Sequence, residues 1–350
     1  MGSASIKDKK LGIGIIGTGA IVETHIKSVQ DLDCCTLVAL SSSSRDRARL
    51  AEEKYNIPTY SSYRDLVKQK DIDAVIIGTL SGDHLNPTLA AAREKKHVLV
   101  EKPLEINLHR ARQMVLACEK ADVRLACIFQ SRFSEEYLQV KKTVHQGKLG
   151  KLYMGNAYVK WFRPPAYYQS SKWKGTLSGD GGAALINQGI HTIDLLIDLM
   201  GEAASVFGKI KTVRHRIEGE DLGAALITFQ NGAMGTIEAS TAISPGFPER
   251  LEVFGEKGSI ILEGGKIIHW LVEGQDPPQL SETSDKSTGA SDPSAIGYLL
   301  HKKQIKNFVE AILTNQPPMI SGKEGLKALK VVRAIYASSH QGKEIRLSEL

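Results

Sequence analysis

The stretch LGIGIIGTGAIVETHIKSV at residues 11–29 admits few folds. Leu11 to Ile16 is an apolar run suited to a buried strand. Gly17-Thr18-Gly19-Ala20-Ile21-Val22 is a glycine turn, and a helical stretch follows. Strand, glycine turn and helix start together form a dinucleotide-binding pattern. Gly17 permits the tight turn, and Gly19 lets the backbone come close to a pyrophosphate. The helix start offers unpaired N–H groups and a positive dipole end, so Thr18, Ala20 and Ile21 join the candidate cofactor contacts. The third glycine position of the pattern holds the larger Val22.

The next hundred residues strengthen the pattern. Thr36–Ser41, Ala74–Thr79, His97–Pro103 and Val123–Phe129 read as further short apolar strands. Arg45–Lys54, Tyr63–Lys68, Pro87–Lys95 and Leu108–Ala121 read as the helices between them. This alternation predicts an α/β domain over residues 9–130, a doubly wound parallel sheet of the Rossmann type. Ligands of such sheets sit beyond the carboxyl ends of the strands. That rule adds Ser42, Ser43, Arg45, Thr79, His84, Glu101, Lys102 and Gln130 to the candidate cofactor contacts. An NAD-preferring sheet usually ends its second strand with an acid that binds the ribose hydroxyls. Here Ser41-Ser42-Ser43-Ser44-Arg45 stands instead, with hydroxyls and a guanidinium suited to a 2′-phosphate. NADP(H) is therefore the favoured cofactor and NAD(H) the alternative. The plainer reading is a serine-rich turn with Asp46 capping the next helix.

After residue 150 the chain changes character. KLYMGNAYVKWF, AALITFQNGAMGTIEAST, RLEVFGEKGSIILEGG and KIIHWLV are alternating or apolar runs broken by NG, EKG and EGG turns. They predict a meander, so residues 131–350 are expected to form an α+β domain on a large, mostly antiparallel open sheet. Gly274–Ala295, rich in Pro and Ser, reads as a long loop near or over the site. Helices over Tyr298–Leu313 and Gly322–Ser339 close the chain and are expected to pack back on the first domain.

Within this half lies LINQGIHTIDLLIDLM, Leu185 to Met200. At 3.6 residues per turn, Asn187, His191, Asp194 and Asp198 share one stripe of an otherwise apolar helix. Buried polar groups cost roughly 1–3 kcal/mol each when unpaired, so the stripe needs either partners or a ligand. Asp194 reads equally as a support for the His191 imidazole and as a structural carboxylate; Asp198 reads as structural. The preceding segment, Lys160 to Gly182, mixes Trp161, Arg163, Tyr167, Tyr168, Trp173 and Lys174. Aromatic faces stack on sugar rings and cations bind hydroxyls or acids. Arg163 and Trp173 are the preferred substrate contacts, the other aromatics serving packing as readily. Asp180 is placed to cap the helix.

Composition narrows the classes. The 350 residues suit about two domains, and 42% hydrophobic with 24% charged residues suits a sizeable core. No apolar run reaches the roughly 18–20 residues of a membrane span. The opening MGSASIKDKK lacks the apolar core of a secretory signal and reads as a short disordered lead, which points to the cytoplasm. A formal charge of +6 without a basic block suits small anionic ligands as well as nucleic acid, but no nucleic-acid motif is present, so no nucleic-acid partner is expected. Cys34, Cys35, Cys118 and Cys127 have no metal or disulfide spacing. His191 with Asn187 and Asp194 makes too thin a ligand set for a metal hydrolase, so no metal is expected.

GIIGTGAI, VLVEKPL and GGAALINQGIHTIDLL, taken together with the closing QIKNFVEAILTNQPPMISGKEGLKALKVVRAIYASSHQGKEI, resemble the Gfo/Idh/MocA family over essentially the whole chain. The resemblance implies an NAD(P)-dependent oxidoreductase, similar to inositol and sugar dehydrogenases. It would move a hydride between nicotinamide and a secondary alcohol or ketone of a sugar, cyclic polyol or glycoside. It implies catalytic roles for Lys102 and His191, a cis Lys102–Pro103 bond, and a homodimer or homotetramer built through the open sheet. Many relatives carry Asp where this chain has Asn187. Asn187 can still orient a substrate hydroxyl, which leaves either His191 or Lys102 as the main base. A neutral imidazole suits proton acceptance, and an ammonium beside the hydroxyl favours the developing alkoxide. The competing readings are a redox-neutral enzyme with a tightly held cofactor and a non-catalytic NADP(H)-sensing or scaffold protein.

Overall fold

The computed structural model describes residues 10–279 and 297–350. Most of the opening lead and residues 280–295 of the expected long loop lie outside the described residues. The chain divides into two compact units.

The first unit comprises the chain up to Gln130 and Tyr298–Leu326. Its sheet holds β1 (Leu11–Ile16), β2 (Cys35–Ser41), β3 (Thr59–Tyr60), β4 (Ala74–Ile77), β5 (His97–Val100) and β6 (Leu125–Cys127). The order is β3-β2-β1-β4-β5-β6, with every pairing parallel. Every residue of β1 and β4 is buried, which is why these strands read as continuous apolar runs. Helices α1 (Val22–Gln30), α2 (Arg45–Tyr55), α3 (Tyr63–Leu66), α4 (Leu85–Arg93) and α5 (Leu108–Ala121) connect the strands. The two-residue β3 is too short to show a pattern of its own. Strand order reverses between β1 and β4, which sets a ligand crevice at their carboxyl ends. A late helix joins this core: Ile305, Phe308 and Val309 of Leu299–Leu313 pack in one cluster with β1 and α1. Their i, i+3, i+4 spacing gives that helix its buried stripe.

The second unit comprises Ser131–Gly297 and Lys327–Leu350. It opens with α6 (Glu135–His145) and β7 (Leu152–Lys160), followed by α7 (Pro165–Gln169) and α8 (Ile190–Met200). Then come β8 (Ala203–Lys211), β9 (Leu222–Phe229), β10 (Met234–Ser240), β11 (Arg250–Gly255), β12 (Gly258–Glu263) and β13 (Lys266–Val272). After α9, the late helix Leu299–Leu313, α10 (Gly322–Gln341) leads to β14 (Ile345–Arg346). The eight strands run in the order β13-β12-β11-β7-β10-β9-β8-β14. Hairpins β8–β9–β10 and β11–β12–β13 are antiparallel, as NG, EKG and EGG turns require. The plain meander is corrected at one point. β7 lies between β10 and β11 and runs parallel to β10, because the Pro-containing connection 241–249 crosses over instead of turning back tightly. One sheet face packs on α8. A Cβ at Gly155 would meet Met200 Cγ at 2.6 Å, so this strand position needs glycine. The opposite face leaves Phe207, Leu226, Met234 and Met154 exposed.

Candidate active site

In the first unit the glycine turn follows β1. Gly17 has φ +108°, and a Cβ there would lie 2.5 Å from Gly78 O. A Cβ at Gly19 would meet nothing within 4 Å, so the turn has open space beside the start of α1. Ala20 is exposed and Ile21 half-buried, while Val22 is a core residue, which accounts for its size. Thr18 Oγ1 and Ser42 Oγ lie 2.9 Å apart and tie the first loop to the second. Ser44, not Asp46, caps α2: it sits in extended backbone and its hydroxyl accepts from the Arg47 N–H at 3.4 Å, while Asp46 lies inside the first turn. Arg47 Nη1 donates to Ser43 Oγ at 3.2 Å, and Arg45 and Arg47 are both exposed there.

Beyond β4, Thr79 donates to Asp83 O at 3.3 Å. His84 is buried, and its Nδ1 donates to Pro103 O at 3.0 Å and Leu104 O at 3.2 Å. Burial pushes its pKa down against these carbonyls, so a neutral imidazole braces the turn after β5. That turn begins with Glu101. Burial opposes its charge, but His25 Nε2 at 2.9 Å, with the charges of His25, His301 and Lys102, brings the carboxyl down to about 2. Its other oxygen accepts the Lys102 N–H at 3.1 Å. Lys102 is half-buried, and the Lys102–Pro103 bond is cis. At the end of this edge Gln130 is buried with an Oε1 that has no hydrogen-bond partner among the described residues. Open space at Gly19, a helix start without a side-chain cap and this orphaned acceptor fit a dinucleotide laid along the carboxyl edge.

In the second unit the expected plain helix is two pieces. Ala184–Gly189 is a π-helical turn, and α8 continues it. Single π turns inside helices frequently mark functional sites. The backbone around this turn is buried, while Asn187, Gln188 and His191 break the surface. Glu220 holds its start, its oxygens accepting from Ala183 N at 3.1 Å, Leu185 N at 2.7 Å and the Tyr336 hydroxyl at 2.9 Å. A Cβ at Gly182 would lie 2.8 Å from Glu220 Oε2. Glu220 thus takes the capping place expected for Asp180. Asp180 instead accepts from Gly175 N at 3.0 Å and from Asn187 Nδ2.

Gln188 Nε2 donates to Asn187 Oδ1 at 3.0 Å and to the Tyr167 hydroxyl at 3.1 Å. Arg163 is fully buried, with Nη2 donating to Gln188 Oε1 at 2.9 Å and Nη1 to Phe162 O at 3.0 Å. It therefore lies beneath the surface-breaking residues and touches Gln188. Trp173 is half-buried. Lys174 Nζ stands 4.1 Å from the Tyr167 ring centre; burial pushes its pKa down, and the Asp180 charge works against that. Farther along the stripe, Asp194 receives Arg132 Nε and Nη2, both at 2.7 Å. Asp198 accepts from Arg132 Nη1 at 2.8 Å and the Tyr137 hydroxyl at 2.6 Å. Its carboxyl is held low by these donors and Lys141 in spite of burial. The stripe is thus split: Asn187 and His191 break the surface, and the two aspartates anchor the helix.

Sequence reasoning missed Arg132, Gln188, Glu220 and Tyr336. Gln188 adjoins Asn187 in the same motif and was within reach; the others are distant partners without a local signal. Among the described residues no group of three or more His, Cys, Asp or Glu is arranged to hold a metal ion, and no helix is long and apolar enough to cross a membrane.

Comparison with known proteins matches residues 11–129 to the oxidoreductase family with an NAD-binding Rossmann fold, and residues 137–261 to the GFO/IDH/MocA C-terminal domain. The chain is 27% identical to myo-inositol 2-dehydrogenase of Thermotoga maritima, over 97% of this chain and 99% of that one. It is 25% identical to 1,5-anhydro-D-fructose reductase of Ensifer adhaerens, over 94% and 96%. Among solved structures, the WlbA dehydrogenase from Bordetella pertussis in complex with NADH and UDP-GlcNAcA superposes with a TM-score of 0.86 at 30% identity, covering 97% and 99%.

Proposed function

Because this chain belongs to the Gfo/Idh/MocA family and is an NAD(P)-dependent sugar or polyol oxidoreductase, we propose that Lys102 and His191 carry the proton chemistry of hydride transfer at a ring carbon. The observation that supports this most is the π turn. On a buried stretch of backbone, the side chains that reach the surface are Asn187, Gln188 and His191, a set suited to hydroxyl recognition and proton transfer.

When bound, the nicotinamide supplies or accepts the hydride. His191 takes the proton of the substrate hydroxyl in oxidation and returns it in reduction. Lys102, whose backbone N–H is held by the Glu101 carboxylate, offers its ammonium to the oxygen that gains negative charge. Asn187 and Gln188 orient neighbouring hydroxyls, and Trp173 offers a face to the ring. NADP(H) is the favoured cofactor, since Ser43, Arg45 and Arg47 line the end of β2 where an acid would repel a 2′-phosphate. The exposed apolar sheet face serves to join copies of the chain into a homodimer or homotetramer.

The test is nicotinamide absorbance with NAD⁺ or NADP⁺ and a panel of inositols, hexoses, glycosides and nucleotide sugars, run beside Lys102→Ala and His191→Ala. Turnover lost in both variants, with circular dichroism unchanged, is the expected result. Near-native turnover in Lys102→Ala overturns the assignment.

A further inference from the structure

We propose that Asp180 and Arg163 are positioning residues for this site: two buried opposite charges that fix, through a relay of two amides, which atoms Asn187 and Gln188 turn to the ligand. The inference rests on the reading of the Asn187–His191 turn as the substrate face.

A primary amide has two ends of nearly equal shape, one a donor and one an acceptor, so only its partners decide its orientation. The two ends of this relay leave no choice. Asp180, 2% exposed, is a carboxylate that only accepts, so Asn187 must turn Nδ2 towards it. Asn187 Oδ1 then lies on the other edge, where Gln188 Nε2 donates at 3.0 Å. Arg163, 0% exposed, only donates, so Gln188 must turn Oε1 to Nη2 at 2.9 Å. That again places Gln188 Nε2 towards Asn187 and the Tyr167 hydroxyl at 3.1 Å. Both determinations agree, and turning either amide over would set donor against donor and acceptor against acceptor.

Two charges buried apart from each other are costly unless each is fully bonded. Here the Gly175 N–H at 3.0 Å completes Asp180. Phe162 O at 3.0 Å and the Trp161 and Tyr167 rings, 4.9 and 5.6 Å from the guanidinium carbon, support the Arg163 charge. Apolar side chains would fill the same volume at less cost. What they would not do is set the polarity of two adjacent amides that break the surface, before a substrate arrives.

Asp180→Asn removes the charge. The exchanged pair Asp180→Asn with Asn187→Asp keeps each bond of the relay, the new amide at 180 donating to the new carboxylate at 187, and moves the charge one link. The first readout needs no ligand: solvent exchange of the Asn187 and Gln188 side-chain amide protons in ¹⁵N-labelled protein, assigned through Asn187→Asp and Gln188→Glu. Both exchange slowly in the wild type, speed up at least tenfold in Asp180→Asn, and Gln188 recovers in the exchanged pair. In the nicotinamide turnover assay, Asp180→Asn lowers kcat tenfold or more with KM within threefold, and the exchanged pair regains most of it. Unchanged exchange rates and kcat in Asp180→Asn overturn the proposal, even while Lys102→Ala and His191→Ala abolish turnover. Activity surviving in those two variants overturns the catalytic reading instead, and the amide exchange still decides this one. If Asp180→Asn does not fold, Arg163→Met, which removes the obligatory donor at the other end of the relay, carries the same exchange test.

Discussion

Arg132 grips Asp194 with two parallel hydrogen bonds, Nε to Oδ2 and Nη2 to Oδ1, each 2.7 Å long, between side chains at most 2% exposed. The third guanidinium nitrogen reaches Asp198 at 2.8 Å. One cation thus bridges two carboxylates one turn apart on α8, Lys141 supplies the second positive charge at Asp198, 2.8 Å away, and together they anchor the helix that carries His191.

Removing one partner of such a pair leaves uncompensated buried charge. Arg132→Met is expected to cost about 3–5 kcal/mol. Urea unfolding followed by fluorescence measures it, and the double variant Arg132→Met with Asp194→Asn should recover part of the loss. A single variant within about 1 kcal/mol of wild type would show that the helix does not depend on the pair.

Glu101 makes the first unit sensitive to acid. Its folded pKa, about 2, lies below the ordinary 4.5, so its stabilisation is complete above about pH 4.5. Between 4.5 and 2 the unfolded chain takes up a proton that the folded chain refuses, and the contribution, up to about 3 kcal/mol, is lost as pH falls through the folded value. Glu101→Gln should flatten the stability curve across that window. A variant whose stability falls as steeply as the wild type's would place the acid sensitivity elsewhere.

The proposed preference for NADP(H) places cofactor choice at the serine-rich end of β2. Ser43→Asp sets a carboxylate beside the Arg47 guanidinium that Ser43 now holds. KM for NADPH should rise at least tenfold while that for NADH stays within about threefold, since only the former brings a 2′-phosphate to an acid. Wild-type protein that binds NADH at least as tightly as NADPH at equal salt contradicts this reading.

The proposed homo-oligomer is joined through the open sheet face. Leu226 is 53% exposed and stands between Phe207 and Thr236 in the sheet register. Light scattering after gel filtration should give the wild type a multiple of 38.2 kDa and Leu226→Arg a single-chain mass. A monomeric wild type removes the role assigned to this face.

Much of the fold and part of the site were legible in the residues alone. Leu11–Ile16 and Ala74–Ile77 are buried on both faces, and a strand in that position can only be apolar. Gly17 sits at positive φ, a need a glycine announces by itself. Lys102 and His191, whose catalytic roles are proposed, stand out in the sequence because each belongs to a short contiguous motif. Boundaries drifted by a few residues where strands run on into loops, as after Ile77 and Val100.

The sequence by itself determined which segments are strands and helices, where the nucleotide turn lies, and which helix carries polar groups on an apolar body. These follow from local periodicity and backbone sterics, which act over a few residues. Only the tertiary structure decided that Arg132 pairs with Asp194 across 62 positions, that Glu220 and Tyr336 hold the π turn, and that β7 enters the sheet beside β10. Those choices depend on where the chain returns and on which buried charge finds a partner, and spacing along the chain carries no record of either.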